Sequence, residues 1–253
     1  MGGERRAGQM RIYAIGDVHG QLDMLRGVHD LIERDGGAGA QVVHVGDLID
    51  RGPDSAGVVR FLMEGQAAGR DWVVVKGNHD RALPNFLRDP RWVDPRAADR
   101  KPWTRRDVGA GAALASYGIE DAETRPMDEV HAEALAKVPP DHARWLDGLP
   151  IWHLTPRALF VHAGIRPGVD LRAQVEDDLL WLRKPFLDDT SDHGVLVVHG
   201  HTPVKKIQHK GNRLDIDTGA AHGGPVSAVR LDEDGVWLLT DKGPKPVAPP
   251  KNA

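Results

Sequence analysis

The chain has 253 residues, 40% of them hydrophobic and 28% charged, with a formal net charge of −4 at pH 7. That length suits one large α/β domain with a sizeable core, and the acidic balance argues against a nucleic-acid partner, which calls for a basic footprint. With no cysteine in the chain, a disulfide framework, a thiolate metal site and any enzyme working through a cysteine nucleophile are all excluded.

Residues 1–9 are rich in Gly and Arg and are expected to fray. They lack the apolar core of a signal peptide, and no apolar run approaches the roughly 20 residues that span a bilayer, so no membrane contact is expected and the cytoplasm is the expected location. Residues 11–15 read as a strand followed by Gly-Asp-Val-His-Gly. Leu22, Leu25, Val28, His29 and Ile32 then share one helix face. A second strand over 41–45 runs into Gly-Asp-Leu-Ile-Asp-Arg-Gly-Pro at 46–53, and Val58, Val59, Leu62 and Met63 mark the next helix. A third strand over 71–75 ends in Lys-Gly-Asn-His-Asp. Residues 88–106 hold Arg88, Arg91, Arg96, Arg100, Lys101, Arg105 and Arg106 with Trp92 and Trp103, broken by prolines. They read either as a solvated loop or as a lid over a phosphate site.

Further on, a helical stretch over 128–146 is interrupted at Val138-Pro-Pro. Strands over 158–161 and 194–198 lead into His-Ala-Gly and His-Gly-His-Thr. Strand-like pieces at 213–216, 225–231 and 235–240 suit a second, antiparallel sheet packed on the first. The Lys/Pro-rich residues 241–253 have no apolar periodicity and are expected to be a flexible tail. One domain over 10–240 is therefore expected, and its rhythm of apolar strand, polar loop and helix is that of an α/β fold. In such sheets functional loops sit at the carboxyl ends of the strands, so the five polar clusters should converge on one rim.

Those clusters supply Asp17, His19, Asp47, Asn78, His162, His199 and His201. Seven oxygen and nitrogen donors from five strand ends are enough for two metal ions, with Asp47 as the bridging carboxylate. Two ions in that arrangement activate water for in-line displacement at phosphorus. Four imidazoles among seven ligands favour manganese, iron or zinc over magnesium or calcium. His79 directly follows Asn78 and in an extended loop would point away from the metals, placed to protonate a leaving alkoxide with Asp50 or Asp80 to orient it. Arg51, in a Gly-Pro-punctuated turn, offers a planar fork to phosphate oxygens.

The five clusters resemble the signature blocks of the calcineurin-like metallophosphoesterases, and more narrowly the phosphoprotein phosphatase branch with its bacterial and phage Ser/Thr phosphatases. The resemblance implies an α/β/β/α sandwich of two mixed sheets and two divalent ions, most often manganese. It assigns Asp17, His19, Asp47 and His201 to one ion and Asp47, Asn78, His162 and His199 to the other. It further implies His79 as general acid, Asp50 as its acidic partner, and Arg51 and Arg183 as phosphate ligands. The third block ends in Asp80 where the family often has Glu. The function it implies is hydrolysis of phosphoserine, phosphothreonine or phosphotyrosine in proteins, or of small phosphoesters. The alternative is a symmetrical dinucleoside polyphosphate hydrolase, which shares the motif set but commonly lacks an acid at the position of Asp50. All seven donors and His79 are present, which argues against a silent binding module. Of the other histidines, His44 reads as a core residue and His222 as one near the pocket rim. Trp145, Trp152, Trp181 and Trp237 read as core.

Overall fold

The computed structural model describes residues 11–36, 39–97 and 101–250. Residues 1–9, expected to fray, lie outside them. In chain order the first half comprises β1 (Ile12–Ile15), α1 (Leu22–Gly36), β2 (Gln41–His44), α2 (Ser55–Ala67), β3 (Trp72–Val74), α3 (Ala82–Arg88) and α4 (Ala110–Ser116). The second half comprises α5 (Met127–Lys137), α6 (Pro140–Asp147), β4 (Trp152–Leu154), β5 (Ala158–Val161), α7 (Glu176–Trp181), β6 (Leu196–His199), β7 (Gln208–His209), β8 (Arg213–Asp215), β9 (Ala228–Asp232), β10 (Gly235–Leu238) and β11 (Lys245–Pro246). Val138-Pro-Pro breaks the helical stretch as expected: α5 stops at Lys137 and α6 restarts with Pro140 in its first turn, where a missing N–H costs nothing.

Two mixed sheets result, in the orders β11-β10-β9-β1-β2-β3 and β4-β5-β6-β8-β7. Strand alternation builds the layers. Ile12 and Ala14 face a seam shared with Val43, Val45, Val75, Phe160, Val198, Leu214 and Ile216, drawn from both sheets. Tyr13 and Ile15 face the other way, into a cluster with Leu25, Ile32, Val58 and Leu62 of the helices. Leu159, Val161 and Val197 of the second sheet cover their outer face with Leu179 and Phe186. The result is the α/β/β/α sandwich.

The late strands do not form one antiparallel sheet of their own. β9 pairs antiparallel with β1, with Ile12 opposite Leu231, and β10 continues that sheet, whereas β8 runs parallel to β6 in the other. Pairing β9 against β1 removes an open edge and delivers Val229, Leu231 and Val236 to the seam. The tail also differs from expectation: β11 pairs with β10, Val247 N–H donates to the Val236 carbonyl at 2.8 Å, and Val247 packs on the seam. Among the described residues no helix is long and apolar enough to cross a membrane.

Candidate active site

The loops that follow β1, β2 and β3 are locked together through their backbones. Val18 and His19 N–H both donate to the Asp47 carbonyl, at 3.0 and 2.8 Å, and Gly20 N–H donates to Leu48 at 2.8 Å. A Cβ on Gly77 would lie 2.1 Å from the Asp47 nitrogen, and one on Gly46 would lie 2.5 Å from the Gly77 nitrogen. The second and third loops therefore touch backbone to backbone, an approach only glycine permits. The loops are not extended. His19, Asp47, Asp50, Arg51 and His201 have φ of 46°, 51°, 74°, 70° and 68°, five of the six left-handed non-glycine residues among those described. Each such residue costs about 1–3 kcal/mol, and strain of this kind clusters where side chains must be aimed.

Asp47 sits at the centre. Its Oδ1 accepts the His79 backbone N–H at 3.0 Å and lies 3.3 Å from His162 Nε2, while Oδ2 lies 3.5 Å from His19 Nε2. His19 and His162 each direct Nδ1 at a main-chain carbonyl, Ile49 and Val45, at 2.9 Å. That fixes the proton on Nδ1 and leaves an Nε2 lone pair facing the site. His162 Nε2 is also 3.0 Å from Asn78 Oδ1. His201 N–H donates to Asp17 Oδ2 at 3.1 Å, and its buried Nε2 has no hydrogen-bond partner.

The electrostatics follow from burial. Desolvation, reinforced by the charges of Asp217 and Asp47, raises the Asp17 carboxyl well above its ordinary range. Burial alone would raise Asp47 too, but His162, His79 and His19 outweigh it and hold that carboxyl well below. Burial lowers His19 to about 3 and takes His201 well below its usual value.

His79 Nδ1 lies 2.6 Å from Asp50 Oδ2, and Asp50 is fully buried. His79 does not point away from the candidate metal donors: its ring is 4.9 Å from that of His19. It lines a cavity of about 330 Å³ with Asp17, His19, Asp47, Arg51 and Asn78. Trp92, Ala97, Lys101, Trp103 and Val108 also line the cavity, with Trp181, Arg183, Pro203 and His222.

Residues 10–229 match the family described as calcineurin-like phosphoesterase. The chain belongs to the calcineurin-like phosphoesterase family. It is 27% identical to a symmetrical bis(5'-nucleosyl)-tetraphosphatase of Nitrosococcus oceani, over 92% of this chain and 97% of the relative. It is 26% identical to the asymmetrical bis(5'-nucleosyl)-tetraphosphatase PrpE of Halalkalibacterium halodurans, over 88% and 91% of the two chains. The fold is similar to that of a cold-active protein tyrosine phosphatase, with a TM-score of 0.64 and 18% identity, covering 95% of this chain and 79% of that one.

A phosphoesterase of this family holds two metal ions, and the donors here fit them. Donor atoms of Asp47, His162 and His201 lie within 4.8 Å of one another, as do those of His19, Asp47 and His79. His201 Nε2 is an orphaned buried lone pair, and Arg51 Nη1 donates to His19 Nε2 at 3.1 Å, a cationic group standing at a ligand atom. Buried, mutually repelling carboxylates beside lone pairs call for cations.

Two expectations about the phosphoesterase's donors need correction. His201, not His199, joins Asp47 and His162. His199 directs Nδ1 to the Gly200 carbonyl at 3.1 Å and Nε2 to Arg213 Nη1 at 3.4 Å, with its edge on Phe186. It ends a strand and points into the packing, while the left-handed turn at His201 swings the next imidazole into the site. Asp80 does not orient His79, a task that falls to Asp50. Asp80 accepts N–H bonds from Leu48 at 2.8 Å and Gly77 at 2.7 Å, holding the second and third loops together. Burial and the neighbouring Asp47 charge raise it to about 6.

The Arg/Trp segment contributes Trp92, Lys101 and Trp103 to the cavity lining. Its cations are largely paired with acids: Arg88 with Asp147, Arg96 with Asp178, Lys101 and Arg105 with Asp107. Arg100 lies outside the described residues. Trp103, placed by the sequence in either a solvated loop or a lid, is 3% exposed and packs on Phe86, whereas Trp181, expected in the core, stands edge-on to His201 at 5.7 Å. Asp217 was missed. It follows β8 two residues after Asp215 and lines the cavity, and Ile-Asp-Thr-Gly after a strand was a legible signal of the same kind as the other five.

Proposed function

We propose that this phosphoesterase hydrolyses dinucleoside polyphosphates. The observation that carries the reading is the cavity itself. Trp92, Trp103 and Trp181 line it, as do the cationic Arg51, Lys101 and Arg183. Its volume of about 330 Å³ lies in the range of small-molecule pockets. Aromatic faces suit a nucleobase and the cations suit a polyphosphate chain. The two tetraphosphatase relatives support the same substrate class.

Asp17, His19, Asp47, Asn78, His162 and His201 would hold the two ions. When bound, such ions acidify water and neutralise charge on phosphoryl oxygens. Arg51 and Arg183 bind and orient the phosphoryl group. The water oxygen bonds to phosphorus as the bond from phosphorus to the leaving oxygen breaks. His79, its Nδ1 held by Asp50, gives the leaving oxygen a proton from Nε2.

A second reading, a phosphomonoesterase acting on phosphorylated Ser, Thr or Tyr, is favoured by one observation. The short His79–Asp50 contact equips the site to protonate a leaving group, and an alkoxide needs that proton more than a nucleotide phosphate does. Comparing kcat/KM for diadenosine tetraphosphate and for a phosphopeptide, with enzyme stripped by chelator and reloaded with manganese, decides between them. A hundredfold preference for the dinucleotide, worth about 2.7 kcal/mol of transition-state stabilisation, is the expected result. A preference of that size for the phosphopeptide overturns the proposal.

A further inference from the structure

Asp50 Oδ2 receives two donors. One is His79 Nδ1 at 2.6 Å; the other is the indole N–H of Trp103 at 2.9 Å. Asp50 Oδ1 is buried with no hydrogen-bond partner, so these two bonds alone set the plane of the carboxylate. Trp103 reaches Asp50 from a distance of 53 residues along the chain, out of the segment that walls the cavity. The same segment grips the neighbouring residue as well, because Arg51 N–H donates to the Gly109 carbonyl at 2.9 Å. Asp50 and Arg51 are consecutive left-handed residues, with φ of 74° and 70°. A turn that costs energy at both positions keeps its shape only if its surroundings over-determine it. Residues 103–109 are that surrounding: one end holds the Asp50 side chain, the other the Arg51 backbone.

The indole ring is fixed in turn. It packs on Phe86 at 5.2 Å between ring centroids, and Phe86 belongs to α3, which begins three residues after His79. The wall of the cavity, the helix behind the third loop and the carboxylate behind His79 therefore meet at one side chain.

We propose that Trp103 is a positioning residue for proton donation, acting through Asp50 to aim His79 at the leaving oxygen. The inference rests on the reading of His79 as the proton donor. Trp103 itself touches neither substrate nor metal in this role. Removing its N–H leaves Asp50 free to rotate, and His79 loses the fixed orientation that proton transfer requires.

Trp103→Phe keeps an aromatic ring beside Phe86 and removes the N–H together with the five-membered half of the indole, so the readout is a ratio of two rates and not a rate alone. The test compares kcat on phenyl phosphate, whose leaving group needs a proton, with kcat on 2,4-dinitrophenyl phosphate, whose leaving group does not. The ratio of the first to the second should fall about tenfold in Trp103→Phe, a part of the roughly 10²–10⁴ a general acid supplies, with the change in kcat rather than KM. An unchanged ratio, whether both rates hold or both fall together, overturns the proposal. His79→Asn serves as the reference: if it leaves the ratio unchanged, the proton-donor reading fails independently of Trp103. A second measurement needs no turnover. In zinc-loaded protein the Trp103 indole proton, assigned by its loss in Trp103→Phe, should resonate downfield of the other indoles and move upfield in Asp50→Asn. A resonance indifferent to Asp50→Asn sinks the proposal whatever the kinetics show.

Discussion

His79 is held at two points, its backbone N–H on Asp47 Oδ1 at 3.0 Å and its ring on Asp50 at 2.6 Å. The first bond ties it to a metal donor and the second sets the direction of its free nitrogen. Replacing His79 with Asn removes the transferable proton while keeping a polar side chain of similar reach. Turnover of a poor leaving group should fall by roughly 10²–10⁴ while the metal content per chain, measured by elemental analysis, stays the same. Loss of metal alongside activity would instead make His79 a ligand, which its place among the donor atoms of His19 and Asp47 allows. Asp17, His19, Asp47, Asn78 and His162 could be singled out in the sequence because each lies in a short polar loop after an apolar strand. His199 was misread for a physical reason. Two histidines spaced two apart look equivalent in an extended loop, and nothing in the spacing of His-Gly-His reveals a left-handed residue at the second. Trp103 was misplaced for the converse reason, since a tryptophan amid arginines in a proline-broken segment gives no sign of a buried carboxylate 53 residues away.

Between elements, the contact of α1 with β2 contains two imidazoles that the site does not use. His29 Nε2 lies 3.0 Å from His44 Nε2, both are buried, and Trp72 and Phe61 close over His29. Burial lowers His29 to about 2, helped by His44 and the nearby Arg70, and lowers His44 to about 4. Both histidines are therefore neutral in the native protein at pH 7 and ionise at about 6.5 when unfolded. Below 6.5 the unfolded chain binds more protons than the folded one, so stability falls as pH drops from 6.5 towards 4. Each imidazole contributes a slope of about 1.4 kcal/mol per pH unit within that window. Urea unfolding of the metal-free protein between pH 7 and pH 4.5, against a His29→Leu/His44→Leu variant, isolates the pair from the other buried histidines. The variant should lose stability less steeply with falling pH. Parallel curves would mean that the pair is protonated in the native state or accessible to water.

At the scale of the whole molecule, the two sheets meet along an apolar seam, and the candidate metal donors straddle its end. Asp17, His19, Asp47 and Asn78 follow strands of the first sheet, while His162 and His201 follow strands of the second. The apolar runs made eight strands legible in chain order, whereas the short β4, β7 and β11 carry no such run and were not. The distribution of strands between two sheets was not legible, because β9 and β8 carry the same kind of short apolar pattern and only pairing partners far along the chain, Ile12 with Leu231 and Val197 with Arg213, separate them. The same geometry makes metal binding a cross-link between layers. An ion taken by Asp47, His162 and His201 joins the second loop of one sheet to the fifth loop of the other, and it has no such set of donors in the unfolded chain. Manganese at a hundred times its dissociation constant should raise the unfolding free energy by about 2.7 kcal/mol over the chelated protein. His201→Ala, which removes a donor from the second sheet only, should shrink that gain while leaving the chelated protein close to wild type. Equal metal stabilisation of wild type and His201→Ala would place the ions on the first sheet alone and remove the link between the two layers.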